Sequence, residues 1–122
     1  MMKAIWITWL IALSACYPND LGYAVRMRNT GPREITDASV TYGDFKFDAG
    51  ILIRDGDHEN LEVHEPTPKS AVVEWRDADG RQHTETVKVS LPQRFKGVLV
   101  FEIDAANNVR VVMESRPQHI TP

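Results

Sequence analysis

Two histidines close together in a polar stretch are the first residues to consider for metal chemistry. His58 and His64 enclose Glu59 and Glu62, a composition similar to that of helical zinc motifs. Those motifs place the histidines four residues apart on one helical face, whereas here they stand six residues apart. On a strand the two imidazoles would lie about 20 Å apart, too far for one ion with bonds of about 2 Å. A metal-dependent hydrolase that uses His58, His64 or His83 is therefore kept only as an alternative.

A dense group of oxygen-bearing side chains lies in the same stretch. It comprises Asp55, Asp57, Glu59 and Asn60 around Gly56. Carboxylate and amide oxygens are ligands for Ca²⁺, but helix-flanked calcium loops need a glycine at the sixth position and a distal glutamate, which this stretch lacks. We expect a solvated acidic turn that discourages edge pairing, with calcium binding as the weaker alternative. The sequence predicts no cofactor.

Nucleophilic catalysis has few candidates in this sequence. Ser39, Ser70 and Ser90 are not flanked by the Gly-x-Ser-x-Gly pattern of a nucleophile elbow. A glycine loop spaced to cradle phosphate is also missing from the sequence. The single cysteine, Cys16, follows an apolar run near the N-terminus. These observations predict that the protein is not an enzyme.

Cys16 is the residue for which the sequence predicts a definite modification. The chain has a basic start followed by an apolar run over residues 4–13, and Leu13-Ser14-Ala15-Cys16 lies at the end of this run. A positive start, a short apolar segment and small residues at the cleavage point are the parts of a secretory signal peptide. The arrangement resembles the lipobox of bacterial lipoproteins. The resemblance implies cleavage before Cys16, diacylglycerol on its thiol and an acyl chain on the new amino terminus, so that palmitate should label the protein.

The lipobox resemblance also implies a location. Residues 4–13 are about half of the roughly 20 apolar residues that cross a bilayer, so an uncleaved anchor is disfavoured. Two or more acyl chains hold a protein stably on a membrane. Tyr17, and not aspartate, follows Cys16. By analogy with enterobacterial lipoproteins, this favours the periplasmic face of the outer membrane of a bacterial cell envelope.

Size and charge bound the exported part of the chain. The prediction assigns residues 1–15 to the signal peptide, 16–22 to the lipidated tether, 23–114 to one domain and 115–122 to a flexible tail. With Cys16 as the only cysteine, a disulfide framework is excluded. The formal net charge is −3, and acidic and basic residues are interspersed. We therefore predict no nucleic-acid partner, and no run of basic residues indicates attraction to anionic headgroups.

Apolar and polar residues alternate along the exported part, which predicts strands. Gly, Pro, Asn or Asp interrupts the pattern every ten or so residues, as expected for seven or eight short antiparallel strands. Ala49-Gly50 predicts a bend or bulge, and residues 60–64 a weaker strand. Asp77-Ala78-Asp79-Gly80 predicts a hairpin turn. Pro66 and Pro68 predict an extended link between two sheets.

This pattern favours an all-β fold of two stacked sheets. The number, spacing and length of the strands match an immunoglobulin-like antiparallel β-sandwich better than a closed barrel. Trp75, which alternates in phase with Ala71 and Val73, is predicted to lie in the core.

The sequence leads to three functional hypotheses. The first is a membrane-anchored periplasmic lipoprotein that acts without catalysis, as a protein-interaction or envelope-assembly module. Its edge strands or end loops would contact a protein partner. The second is an immunity lipoprotein whose acidic balance suits a basic toxin delivered to the periplasm. The third is the metal-dependent hydrolase considered above.

Overall fold

The structure, a computed structural model, describes residues 22–115. Eight strands make up this part of the chain: β1 (Tyr23–Asn29), β2 (Ile35–Tyr42), β3 (Phe45–Leu52), β4 (Asp57–Val63), β5 (Ser70–Arg76), β6 (Gln82–Lys88), β7 (Val98–Ile103) and β8 (Val109–Glu114). Residues 22–115 contain no helix. Accordingly, none of the described segments is a helix long and apolar enough to span a membrane.

The strands form two four-stranded sheets. The first sheet has the order β4-β1-β7-β8 and the second the order β3-β2-β5-β6. The predicted all-β fold is therefore confirmed. The prediction of purely antiparallel pairing is wrong for one pair, because β1 and β7 run parallel, with Ala24 opposite Val98. Five strands separate β1 from β7 in the chain, and a long connection of this kind allows a parallel pairing that a tight hairpin cannot form.

One apolar core fills the space between the sheets. Tyr23, Val25 and Met27 are at most 1% exposed and face this space, whereas Arg26 and Arg28 lie on the outer face of β1. Successive strand residues point to opposite faces, which explains the alternation. From the second sheet the core receives Ala71, Val73 and Trp75, and Trp75 is completely buried, as predicted.

The predicted turns and links lie where the sequence indicated. The Gly80 N–H donates to the Asp77 carbonyl at 3.0 Å, and Gly80 has a φ of +85°, which glycine adopts without steric cost. The β2–β3 ladder shifts register opposite Gly50, in agreement with the predicted bulge. The chain passes from the first sheet to the second through the link that contains Pro66 and Pro68.

Strand β4 differs from the prediction. It begins at Asp57 and ends at Val63, whereas the sequence indicated residues 60–64. Its first residues are charged and give no apolar alternation. They are nevertheless held in the sheet because Asp57 pairs in register with Arg28, and Glu59 with Arg26, so that opposite charges face each other across the strands.

The sandwich has two ends, which we name from the start of β1. The proximal end contains Tyr23 and the loops of residues 43–44, 64–69 and 89–97. The distal end contains the loops of residues 30–34, 53–56, 77–81 and 104–108. Hydrogen bonds across the core confirm that the two sheets share these ends, since Tyr23 bonds Tyr42 and Asn29 bonds the carbonyl oxygen of Leu52.

Candidate functional site

A shallow cleft opens among the loops of the distal end. Its volume is about 110 Å³. The β1–β2, β5–β6 and β7–β8 loops form its walls, and the polar or charged lining residues are Asn29, Arg33, Asp77, Asp79, Asp104 and Asn107. Loops on a rigid β scaffold are where binding residues concentrate. We therefore take this distal cleft as the candidate functional site.

Asn29, the last residue of β1, fixes one wall of the distal cleft. Its side chain is buried, and its amide nitrogen donates to the carbonyl oxygens of Arg33 at 2.7 Å and Leu52 at 3.1 Å. Its Oδ1 accepts the Gly31 N–H at 2.9 Å. A Cβ at Gly31 would lie 3.2 Å from the Ala105 backbone, so glycine allows the β1–β2 loop to pack against the β7–β8 turn.

Trp75 connects the core to the floor of the cleft. Its Nε1 donates to Asn107 Oδ1 at 3.1 Å, which joins the second sheet to the β7–β8 turn of the first. Asn107 has a φ of +60°, a left-handed conformation that asparagine tolerates better than most residues. The Trp75 indole also stacks on the His83 ring, with centroids 5.1 Å apart and planes inclined by 10°.

Asp77 and His83 form a second polar link beside the cleft. His83 Nε2 lies 2.7 Å from Asp77 Oδ2, and Asp77 Oδ1 accepts the N–H groups of Asp79 and Arg81, each at 2.9 Å. The hydrogen bond with His83, followed by these backbone bonds, holds the pKa of Asp77 below its usual value. In the described part of the chain, no hydroxyl or thiol hydrogen-bonds to His83. The ionised Asp77 therefore holds the β5–β6 turn and orients the imidazole.

The rim of the cleft is charged and open to solvent. Arg33 Nη2 lies 3.1 Å from Asp79 Oδ1, and both side chains are more than 60% exposed. Asp104 Oδ1 accepts the N–H groups of Ala106 and Asn108 at 2.9 Å, so its carboxylate stabilises the β7–β8 turn. Most cleft carboxylates are thus engaged in holding loops, and the arrangement suits recognition of a partner by a rigid surface.

A charged network covers the outer face of the first sheet. Arg26 Nε donates to Glu59 at 2.9 Å, and its Nη1 reaches Glu114 at 3.1 Å. Arg28 Nη1 donates to Glu102 at 2.8 Å and to Glu114 at 2.9 Å. The hydrogen bonds with Arg28 lower the pKa of Glu114. The same hydrogen bonds to Glu114 are the main reason that the pKa of Arg28 is raised.

This network explains an apolar cluster on the same outer face. Ala24, Val98 and Val100 are at most 2% exposed, although they point away from the core between the sheets. Arg26 and Arg28 bond Glu114 on β8, so their side chains extend across β7, which lies between the two strands. Arginine stems can cover apolar surface while their charged heads stay hydrated. The charged side chains on the outer face of the first sheet thus pair with one another.

The predicted acidic cluster does not converge. Asp55 lies in the β3–β4 turn with a φ of +56°, whereas Asp57, Glu59 and Asn60 are residues of β4. Asp57 lies 3.8 Å from Arg28, and Glu59 bonds Arg26. Asn60 pairs in register with Val25, one position out of step with Glu59, and so belongs to the opposite face. The carboxylates of Asp57 and Glu59 pair with arginines of the neighbouring strand β1. The local sequence does not reveal these partners.

The candidate histidines lie in three separate places. His58 Nε2 is 3.0 Å from the carbonyl oxygen of Ile51 at the distal end. His64 follows β4 at the proximal end and is exposed, 4.0 Å from Glu62. His83 is on β6, at the edge of the second sheet. Between residues 22 and 115 no three His, Cys, Asp or Glu side chains form a group that could hold a metal ion. The lipidation candidate Cys16 lies outside the described residues.

No family model matches this sequence. Nor does a curated protein match it. Among solved structures, it is similar to an NMR structure of a protein from Eubacterium rectale, with a TM-score of 0.56 and 14% sequence identity. The match covers 78% of this chain and 90% of that one. At this identity the similarity concerns the all-β fold alone.

Sequence reasoning missed the polar groups that build the cleft. The sequence pattern assigned no functional role to Asn29, and it indicated Asp77 only as a residue of a hairpin turn. Their partners, Leu52 and His83, come from other loops and strands, and only the fold brings them together. One signal was available: Asp77 and Asp104 each precede a turn residue that permits a positive φ, Gly80 and Asn107, which is typical of tight turns held by a side-chain carboxylate.

Proposed function

We propose that the protein is a lipid-anchored bacterial lipoprotein whose immunoglobulin-like β-sandwich binds a protein partner in the cell envelope without catalysing a reaction. The observation that carries this proposal is the sequence Leu13-Ser14-Ala15-Cys16 placed seven residues before Tyr23, the first residue of β1. A lipobox directly ahead of a folded all-β domain is the arrangement expected of a tethered binding module.

The position of Cys16 supports attachment of the domain at its proximal end. Seven residues reach at most about 25 Å, so a lipid on Cys16 would hold the proximal end near the membrane. A seven-residue strand spans about 23 Å, and the distal cleft lies beyond it. The cleft would therefore lie at the end opposite the attachment point, where a partner can reach it.

The chemistry of the cleft favours binding over catalysis. Asp77 and Asp104 hold turns through backbone N–H groups, and Asn29 and Asn107 are engaged with the core. Rigid loops of this kind lose little conformational entropy when a partner binds.

In-cell photocrosslinking tests the binding proposal. A photoreactive amino acid replaces Asp79 at the distal rim or, as the matched control, Thr84 on the exposed side of β6. We expect a discrete crosslinked protein with the label at residue 79, weaker or absent with the label at residue 84, and lost in the Cys16→Ser background. Crosslinking that is equal at both positions, or absent at residue 79, would contradict the assigned surface.

One observation favours a second candidate function, an immunity lipoprotein. The distal loops carry more acidic than basic side chains: Glu34, Asp55, Asp77, Asp79 and Asp104 against Arg33, Arg54 and Arg81. An acidic surface is complementary to a basic toxin and would speed its capture. In this case the protein crosslinked at residue 79 would be a basic toxin, and a strain lacking the lipoprotein would be killed by it.

A further inference from the structure

Four basic residues from the second half of the chain lie at the proximal end. They are Lys69, Lys88, Arg94 and Lys96, and all are exposed. The Val89 N–H donates to the Lys69 carbonyl at 2.9 Å, which places Lys69 beside Lys88. The Ala24 N–H donates to the Gly97 carbonyl at 3.0 Å, which places the 89–97 loop beside the start of β1. In the sequence these four residues form no basic run, and only the fold collects them.

The two ends of the sandwich have opposite charge balance. The loops of the proximal end contain two acidic residues, Asp44 and Glu65. Glu114, which ends β8, is bound by Arg26 and Arg28 on the outer face. Among residues 22–115, no carboxylate lies within 4.0 Å of a charged nitrogen of Lys69, Lys88 or Arg94. The distal loops hold the acidic excess described above, so the domain is polarised along its strands.

Arg94 is held in a conformation that L side chains rarely adopt. Its φ is +56°, where glycine would fit without steric conflict. The neighbouring Phe95 packs against Tyr23, with ring centroids 6.2 Å apart, and this contact fixes the loop on the domain. Local strain of this kind concentrates at functional positions. A charged residue therefore occupies a strained loop site that a glycine would fill more comfortably.

We propose that the proximal end docks on anionic phospholipid headgroups and holds the domain upright, with the distal cleft facing away from the membrane. This inference rests on the proposed lipid anchor at Cys16, which would bring the basic residues to the bilayer surface. The tether reaches about 25 Å, so the anchor alone leaves the orientation of the domain free. The Debye length is about 8 Å at physiological ionic strength, so the basic residues attract the headgroups only when the proximal end is at the bilayer, and this attraction selects the orientation.

The expected strength follows from the number of cations. Each basic residue near an anionic bilayer strengthens binding by about fivefold. Lys69, Lys88 and Arg94 together give up to about 100-fold, which Asp44 and Glu65 reduce to about fivefold. A fivefold preference suffices to orient a domain that the lipid already holds at the surface.

The first arm of the test measures orientation of the lipidated protein. With the thiol of Cys16 acylated, a new cysteine is the single reactive thiol, so a fluorophore can be attached at Gln93→Cys or Asp79→Cys. Energy transfer to a labelled lipid is measured on phosphatidylcholine vesicles with and without one-third phosphatidylglycerol. We expect the anionic lipid to bring residue 93 closer to the bilayer and move residue 79 away, and high salt to abolish both changes.

Matched charge variants identify the residues responsible. The proximal variant combines Lys69→Gln, Lys88→Gln and Arg94→Gln, and the distal control combines Arg54→Gln, Arg81→Gln and Arg110→Gln. Each removes three positive charges. We expect the proximal variant to lose the response to anionic lipid and the distal control to keep it. Equal responses of the two variants, or identical energy transfer on neutral and anionic vesicles, would overturn the proposal.

The second arm separates this proposal from the lipid anchor. The Cys16→Ser chain, which lacks the acylated residue, is sedimented with anionic vesicles at low salt. We expect up to about 100-fold weaker binding after the proximal substitutions and little change after the distal ones. If wild-type Cys16 carries no lipid while this difference persists, the anchor proposal fails and the docking surface stands. If Cys16 is acylated and the difference is absent, docking is refuted alone.

Discussion

The hydrogen bond between Trp75 and Asn107 gives a sharp test of how the core supports the cleft. Asn107→Gly removes the acceptor and leaves the buried Nε1 of Trp75 without a partner, which costs about 1–3 kcal/mol. Glycine also relieves the left-handed strain at φ +60°, by about 1 kcal/mol. Glycine also lowers stability by about 0.5–1 kcal/mol because it makes the unfolded chain more flexible. We expect a net loss of about 1–2 kcal/mol.

A double-mutant cycle isolates the bond itself. In a Trp75→Phe background the indole N–H is absent, so Asn107→Gly should be neutral within about 0.5 kcal/mol, and the coupling energy should be about 1–2 kcal/mol. Unfolding in urea is followed by far-UV circular dichroism of the chain that begins at Tyr17, because the substitution removes the tryptophan signal. Asn108→Gly serves as the control and should behave alike in both backgrounds. If Asn107→Gly lowers the free energy of unfolding equally in the wild-type and the Trp75→Phe backgrounds, the role assigned to the hydrogen bond is refuted.

Three further predictions follow from particular contacts. Gly97→Ala should destabilise the domain by about 2 kcal/mol or more, because its Cβ would lie 2.4 Å from the Glu114 carbonyl oxygen, whereas Gly22→Ala, with nothing within 4 Å, should leave the melting temperature unchanged. The pKa of Glu114 is lowered in the folded state from its usual 4.5, so the contribution of this carboxylate to stability is present above pH 4.5 and is lost as the pH falls through the folded pKa. Glu114→Gln should therefore destabilise the domain at pH 7, and the difference in melting temperature from wild type should shrink in acid. Because Asp57 and Glu59 lie beside arginines, melts in millimolar calcium and in chelator should coincide, and an upward shift that Asp57→Asn abolishes would show a cation site.

Much of the fold could be predicted from local sequence. Alternation placed Ala71, Val73 and Trp75 on one buried face, and the turn residues from Asp77 to Gly80 marked a hairpin, because side-chain burial and turn conformation are encoded within a few residues. The parallel pairing of β1 with β7 could not be predicted in this way. It depends on which strands meet after the whole second sheet has formed.

The site was less accessible to prediction for a related reason. The sequence predicted too short a strand β4 because Asp57 and Glu59 show no apolar alternation. Their stabilising partners are arginines 29 and 33 residues earlier in the chain. The basic proximal end was missed because its cations are separated in sequence by loops and strands. Cross-strand charge pairs and surface charge patterns are properties of the assembled sandwich, and single-sequence periodicity does not contain them.

The chemical state of Cys16 decides whether the protein is anchored by lipid. Cells are grown with radiolabelled palmitate, and the N-terminal peptide of the membrane-bound protein is analysed by mass spectrometry. We expect label in the wild-type protein, none in Cys16→Ser, and a mature peptide that begins at Cys16 and carries diacylglycerol. A mature N-terminus at any other residue, or label that persists in the serine variant, would contradict the lipid anchor.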